Sequence, residues 1–184
     1  MAVISLFNSR REPVVSKPLL TILQQIRKGT YKEEVELLRM YYEQNRDSLF
    51  DQQKRGLLSL AVGGHFKLVR RKVELVSYSG YVFLEIPYLT LADRVLFRLM
   101  TREDPYVFAC FKNTIGFGLV LMVKVDGEVE EHRRAFYQLK QYFKAAFGTD
   151  RIAANGEDYK ALCLMSYDVD LYLNLEAKVF SVKR

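Results

Sequence analysis

Two apolar runs, Tyr106 to Lys112 and Leu119 to Val125, flank the loop Asn113-Thr114-Ile115-Gly116-Phe117-Gly118. Almost every residue in them is apolar, the pattern of a strand buried on at least one face, so they read as a strand pair around that loop. Such a pair needs other layers to cover it. With 184 residues, 49% of them hydrophobic, the chain can supply those layers as one ordinary domain, or at most as a compact bipartite domain.

The remaining elements follow from periodicity and punctuation. Residues 2 to 7 read as a short strand, and Asn8 to Pro13 as a polar turn. A helix is expected from Pro18 to Gly29, and a second after Thr30 with Tyr31, Val35, Leu38 and Tyr42 on one face. A third starts at Asp47 or Ser48 and runs through Lys54, so residues 1–56 form a mostly helical leader. From Leu57 the texture changes to strands over 58–61, 66–70, 73–78 and 81–86, with Gly63-Gly64, Arg71-Lys72 and Ser79-Gly80 as turns. Leu91 to Met100 returns to helix with Ala92, Val95, Leu96 and Leu99 on one face. The clearest helix runs from Val129 to Phe147, with His132, Phe136, Leu139, Phe143 and Phe147 as its apolar stripe. Short strands are expected near 162–165 and 178–182. The expected fold is α+β: a four- or five-stranded, mostly antiparallel sheet in residues 57–184, with helices packed on one face and the other face free for a site.

Composition excludes several classes. Cys110 and Cys163 lie inside apolar runs, as small buried hydrophobes do, so a reducing, cytoplasmic setting is expected. His65 and His132 belong to no zinc-binding pattern. No apolar run approaches the roughly 18 residues of a membrane span, because Lys124 and Asp126 close the best one. The formal charge of +6 and a pI near 9.2 suit a polyanionic partner or simply a solvated basic surface.

Several segments, taken in order from about residue 20 to residue 180, resemble the VirE amino-terminal-domain family of bacterial mobile elements, a branch of the primase-polymerase superfamily. They are 26–31 with Leu38-Arg39, 57–66, 78–87, 104–111, the Gly116-Phe117-Gly118-Leu119 loop, His132, and above all Leu162 to Asn174. The resemblance implies a primase-like fold and two-metal nucleotidyl transfer, in which an Asp-x-Asp pair on one sheet face grips divalent ions. Here that pair falls on Glu85 and Pro87, and proline offers neither a carboxylate nor a backbone donor. By the same resemblance the third carboxylate falls on Ala153, the loop lysine on Val120, and an arginine on Ala161. Asp150 or Asp158 is a substitute for the third carboxylate only. Glu85 is thus a residual catalytic position or a strand-end Glu paired with a nearby cation. Gly116 and Gly118 are a phosphate loop or a tight strand connection. Asp168 and Asp170 have the spacing of a metal pair but belong to the family's Ser-Tyr-Asp structural segment.

The expectation is therefore a catalytically degraded primase-like domain of a mobile-element replication or mobilisation protein that still binds nucleic acid, DNA before RNA. Its candidate contacts are the basic ribbon Lys67, Arg70, Arg71 and Lys72, with Tyr81 and its neighbours Tyr78, Phe83 and Tyr88 as stacking platforms. No cofactor is expected, Mg²⁺ or Mn²⁺ entering only if activity survives. The chain has no Walker A motif, so a replication helicase or ATPase would be a partner. Two alternatives stand beside this reading: an active nucleotidyltransferase with relocated ligands, and a non-enzymatic protein-interaction module.

Overall fold

A computed structural model describes residues 2–183. The chain opens with an antiparallel hairpin, β1 (Val3–Phe7) and β2 (Pro13–Pro18), followed by helices α1 (Leu19–Lys28), α2 (Lys32–Glu43) and α3 (Asp47–Gly56). Then come β3 (Ser59–Ala61), β4 (Gly64–Val69), β5 (Lys72–Tyr78), β6 (Tyr81–Ile86), α4 (Leu91–Glu103), β7 (Val107–Lys112) and β8 (Leu119–Lys124). A 3₁₀ turn at Val129–Glu131 leads into α5 (His132–Phe147), and β9 (Cys163–Leu164) and β10 (Tyr172–Leu173) close the chain.

The α+β class and the antiparallel pairing stand as read: among the described residues every pair of these strands is antiparallel. The layering differs from the expectation. The strands form two four-stranded sheets, β2-β1-β3-β9 and β10-β7-β8-β6, plus the separate ribbon β4-β5. One face of the second sheet, with Val82, Leu84, Leu121 and Val123, packs on Phe97 of α4 and on Phe136, Leu139 and Phe143 of α5. Its other face, with Phe83, Phe111, Val120 and Met122, packs on α1 and on Ile4, Leu6 and Leu60 of the first sheet. Helices therefore cover both faces, and the face expected to be free opens to a cleft at the Glu85 end of β6.

The leader holds its three expected helices and adds an unexpected strand, because β2 pairs along β1 as an edge strand. Prolines at both its ends hid it, and an edge position tolerates their missing N–H groups. α1 ends as predicted at Gly29, whose φ of +78° is the left-handed conformation that terminates helices. α4 is rotated from its expected setting: Leu91, Val95, Leu96 and Leu99 face water while Phe97 and Thr101 are buried. Arg94 and Arg98 turn inward from this helix to Gly116 O and to the Asp168 carboxylate. The tail forms β10 against β7 in place of the expected 178–182 strand, of which only a bridge from Phe180 to Val125 is present. Cys110 and Cys163 are free, buried thiols, and no helix among the described residues is long and apolar enough to cross a membrane.

Candidate functional site

Alternation along β6 points Tyr81, Phe83 and Glu85 to one sheet face, and the register sets Glu85 directly opposite Val120 of β8. β6 ends at Ile86, and Pro87, lacking an N–H, begins the exit. Around Glu85 lies a cleft of about 300 Å³ lined by Phe50, Lys54, Pro87, Tyr88, Asn113 and Cys163, among others. The cleft thus gathers positions from four distant segments that the sequence reading singled out: 85–87, 113–114, Val120 and Cys163.

Glu85 is held by carboxamides, not by the Lys or Arg expected from sequence. Asn113 Nδ2 donates to Glu85 Oε1 at 3.0 Å and to Pro87 O at 3.1 Å, and Asn155 Nδ2 donates to Glu85 Oε2. The Ala153 N–H donates to the Glu85 carbonyl at 2.8 Å, which carries the 151–158 segment to the strand end. The Glu85 charge and burial together push the Cys163 thiol up from its ordinary range, burial being the larger cause. Neither carboxamide stands out in the sequence, where both read as loop formers.

Asn113 also builds the loop. Its Oδ1 accepts from the Gly118 N–H at 3.0 Å, and its carbonyl accepts from the Gly116 N–H at 3.0 Å. The two glycines proposed as a phosphate loop therefore use their amide donors inside the loop. Their smallness has a local reason. Gly116 has φ of +85°, and a Cβ on Gly118 would fall 2.0 Å from Ile86 O. Arg39 braces the loop from behind, donating to the carbonyls of Asn113, Thr114 and Tyr167 at 3.0–3.1 Å. Replacing buried Asn113 by alanine strands the Gly118 N–H and one Glu85 oxygen. We expect it to destabilise the chain by about 2–3 kcal/mol, measurable by chemical denaturation, whereas Asn155→Ala, at an exposed position, has a smaller effect.

A two-ion site does not fit this donor set. Hard divalent ions take six or more oxygen ligands, usually from several carboxylates and waters, and here Glu85 stands with Pro87, Ala153 and Val120. Among the described residues no group of three or more His, Cys, Asp or Glu side chains is placed to hold a metal. The substitutes weighed for the third carboxylate lie elsewhere: Asp150 pairs with Lys144, and Asp158 lines a different pocket beside His132. Asp168 is a fully buried structural hub, accepting from Arg98, from the Lys112 N–H at 2.7 Å and from the Asp170 N–H at 3.2 Å.

The basic ribbon is a real hairpin, with its turn one residue earlier than expected. Val69 pairs with Lys72, leaving Arg70 and Arg71 as a two-residue loop with φ of +46° and +67°. Positive φ at both positions is the signature of a type I′ turn, which normally carries Asn-Gly. Lys67 and Lys72 flank this loop on the two strands, and among the described residues none of the four cations forms a salt bridge. The ribbon is anchored at its base by Ser5, whose Oγ accepts from the Phe66 N–H at 2.8 Å, and by Phe66 against Phe7.

The aromatic candidates separate. Phe83 is buried, and Tyr81, half-buried at the far end of β6 from Glu85, packs on Phe108 with ring centroids 4.9 Å apart. Tyr78 donates its hydroxyl to His132 Nδ1 at 2.8 Å, while His132 Nε2 donates to Gly156 O at 3.1 Å. Only Tyr88, 53% exposed, stands on the cleft rim, its hydroxyl 3.2 Å from that of Tyr42. His65 is half-buried in β4 opposite Ser77.

His132 gives a pH prediction. Burial lowers its pKa in the folded chain, against smaller raising effects from Gly156 O and Asp158. Above about pH 6.5 the imidazole is neutral in both states and contributes nothing. As pH falls below that value the unfolded chain binds a proton that the folded chain refuses, so stability drops. Urea midpoints measured between pH 7.5 and pH 5.5 should decline for the wild type, and His132→Gln should remove that part of the decline.

The sequence has recognisable kin at the level of a family. No curated protein and no solved structure matches the chain. The family described as BT4734-like, N-terminal domain, matches residues 52–173, which hold β3 through β10, the ribbon and Glu85. That stretch is about two thirds of the chain, and on this ground the protein belongs to the BT4734-like N-terminal domain family.

Proposed function

We propose that this chain is a primase-polymerase-like domain that binds nucleic acid through the β4-β5 ribbon and performs no nucleotidyl transfer. The observation that carries the reading is the ribbon tip. Two arginines occupy left-handed backbone positions that cost each of them roughly 1–2 kcal/mol, beside two lysines, and among the described residues none of the four is in a salt bridge. Strain of this kind, kept where Asn-Gly would relieve it, points to a role for the side chains. Arg and Lys at a protruding turn suit sequence-independent contacts with phosphates. The gathering of Glu85, Pro87, Val120 and loop 113–118 around one cleft supports the likeness to the VirE amino-terminal domains, and the replaced carboxylates support a loss of catalysis. In this reading the domain works in the cytoplasm on mobile-element DNA, with helicase or ATPase activity supplied by a partner.

The test is an anisotropy titration of a labelled single-stranded oligonucleotide at rising salt. Binding at about 50 mM salt with log K falling linearly against log salt is expected; no binding there overturns the proposal. Primer extension with Mg²⁺ or Mn²⁺ should give no product, and product lost on Glu85→Ala would overturn the non-catalytic half.

A protein-docking role is favoured by a separate observation. Leu91, Val95, Leu96 and Leu99 form an apolar stripe on α4, each more than half exposed. A module that only docks proteins predicts no salt-dependent retention of nucleic acid.

A further inference from the structure

We infer that the Glu85 cleft continues into a second, basic groove that takes the phosphodiester backbone of a single-stranded nucleic acid, with Arg11, Lys54 and Arg55 as its phosphate contacts. The inference rests on the proposed nucleic-acid function and adds to it a second contact and a strand selectivity. The groove, about 420 Å³, lies where the last turn of α3 faces the β1–β2 turn, and it shares Lys54, Leu162 and Leu164 with the Glu85 cleft. The two hollows therefore adjoin, with these three side chains common to both walls.

Charge and backbone both mark the groove. Arg11, Lys54 and Arg55 face a single acid, Asp51, in its lining. Among the described residues none of the three cations forms a salt bridge. Arg11 has φ of +60°, a conformation that glycine adopts freely. The Asn8 side chain fixes that turn, its Oδ1 accepting from the N–H groups of Arg10 and Glu12 at 3.0 Å each. Arg11 thus joins the pair at the ribbon tip as an arginine held left-handed.

The neighbouring cleft supplies the other half of single-strand chemistry. Tyr88, 53% exposed on its rim, offers a ring to an unstacked base beside the basic track, while the Phe50 ring packs on Tyr42 and carries Lys54 Nζ 5.8 Å from its centroid. A duplex, whose bases are already stacked and paired, offers no free base to this ring, so its binding should depend on the ribbon alone.

The test compares the full chain with an Arg11→Gly/Lys54→Gln/Arg55→Gln groove variant and a Lys67→Gln/Arg70→Asn/Arg71→Gly/Lys72→Gln ribbon variant. Labelled single-stranded DNA, RNA of the same sequence and a blunt DNA duplex serve as probes. The groove variant should bind single strands about 30-fold more weakly, with its salt slope shallower by roughly 2 for three lost contacts, and should bind duplex as the wild type does. Whichever single strand the wild type holds more tightly identifies the polymer. Arg11→Gly alone should keep or raise the melting temperature, so weaker binding by that variant is not unfolding. A folded groove variant with wild-type single-strand affinity and slope overturns the groove while leaving the ribbon reading intact. Equal losses on duplex and single strand overturn the strand selectivity. A wild type that binds no probe overturns both proposals.

Discussion

Replacing Asp168 with alanine is expected to destabilise the protein by about 3–5 kcal/mol, the range for breaking a buried ion pair by removing one partner. The Asp168 side chain is fully buried and receives Arg98 from α4, the Lys112 N–H from the end of β7 and the Asp170 N–H from its own segment. Arg98 also donates to Asp170 O at 2.9 Å, so one guanidinium ties α4 to the tail. Without the carboxylate, Arg98 keeps that carbonyl but loses its counter-charge, and the Lys112 amide loses its acceptor. For a chain of this size the loss corresponds to a melting temperature lower by about 10 °C, readable by calorimetry. Asp168→Asn, which keeps an acceptor for Lys112, should lose less. A metal-site role would instead predict that alanine leaves stability unchanged or raises it by removing repulsion.

The second large effect concerns the ribbon. Neutralising Lys67, Arg70, Arg71 and Lys72 together should weaken single-strand binding by about 100-fold at low salt, taking ~0.7 kcal/mol for each exposed charge pair. The same variant places Asn-Gly in the type I′ turn, so its folding stability should rise by about 1–3 kcal/mol, the strain relieved at two left-handed positions less the entropy that glycine adds to the unfolded chain. A variant that gains stability while losing affinity separates charge from folding, which substitutions in the core cannot do.

Much of this architecture is legible in the chain itself. β6 appears over the expected 81–86, between Gly80 and Pro87, and the stripe of α5 from His132 to Phe147 is buried throughout. Gly29 marks the end of α1 for a reason local to the backbone. What periodicity misses is set by distant partners. α4 carries two apolar faces, and the choice between them is made by Arg94 and Arg98 reaching Gly116 O and Asp168, contacts spanning 22 and 70 positions. β2 escapes notice because prolines stand at both ends, and among the described strands it pairs with β1 alone, a partner several residues away that its own pattern does not announce. The partners of Glu85 are illegible for the same reason: Asn113 and Asn155 lie 28 and 70 positions away, and nothing in their own surroundings distinguishes them from turn residues. The ribbon's charge is readable, but its strained turn is not, since Arg-Arg is a poor local signal for positive φ.

Phosphate contact by the ribbon is tested by the salt dependence of single-strand binding by the wild type and by the ribbon variant, each paired with a denaturation curve. The ribbon account predicts a wild-type slope of log K against log salt steeper by roughly 3, close to 0.7 for each of four phosphate contacts, with the variant folded and at least as stable. Identical slopes and affinities from two folded proteins would contradict it.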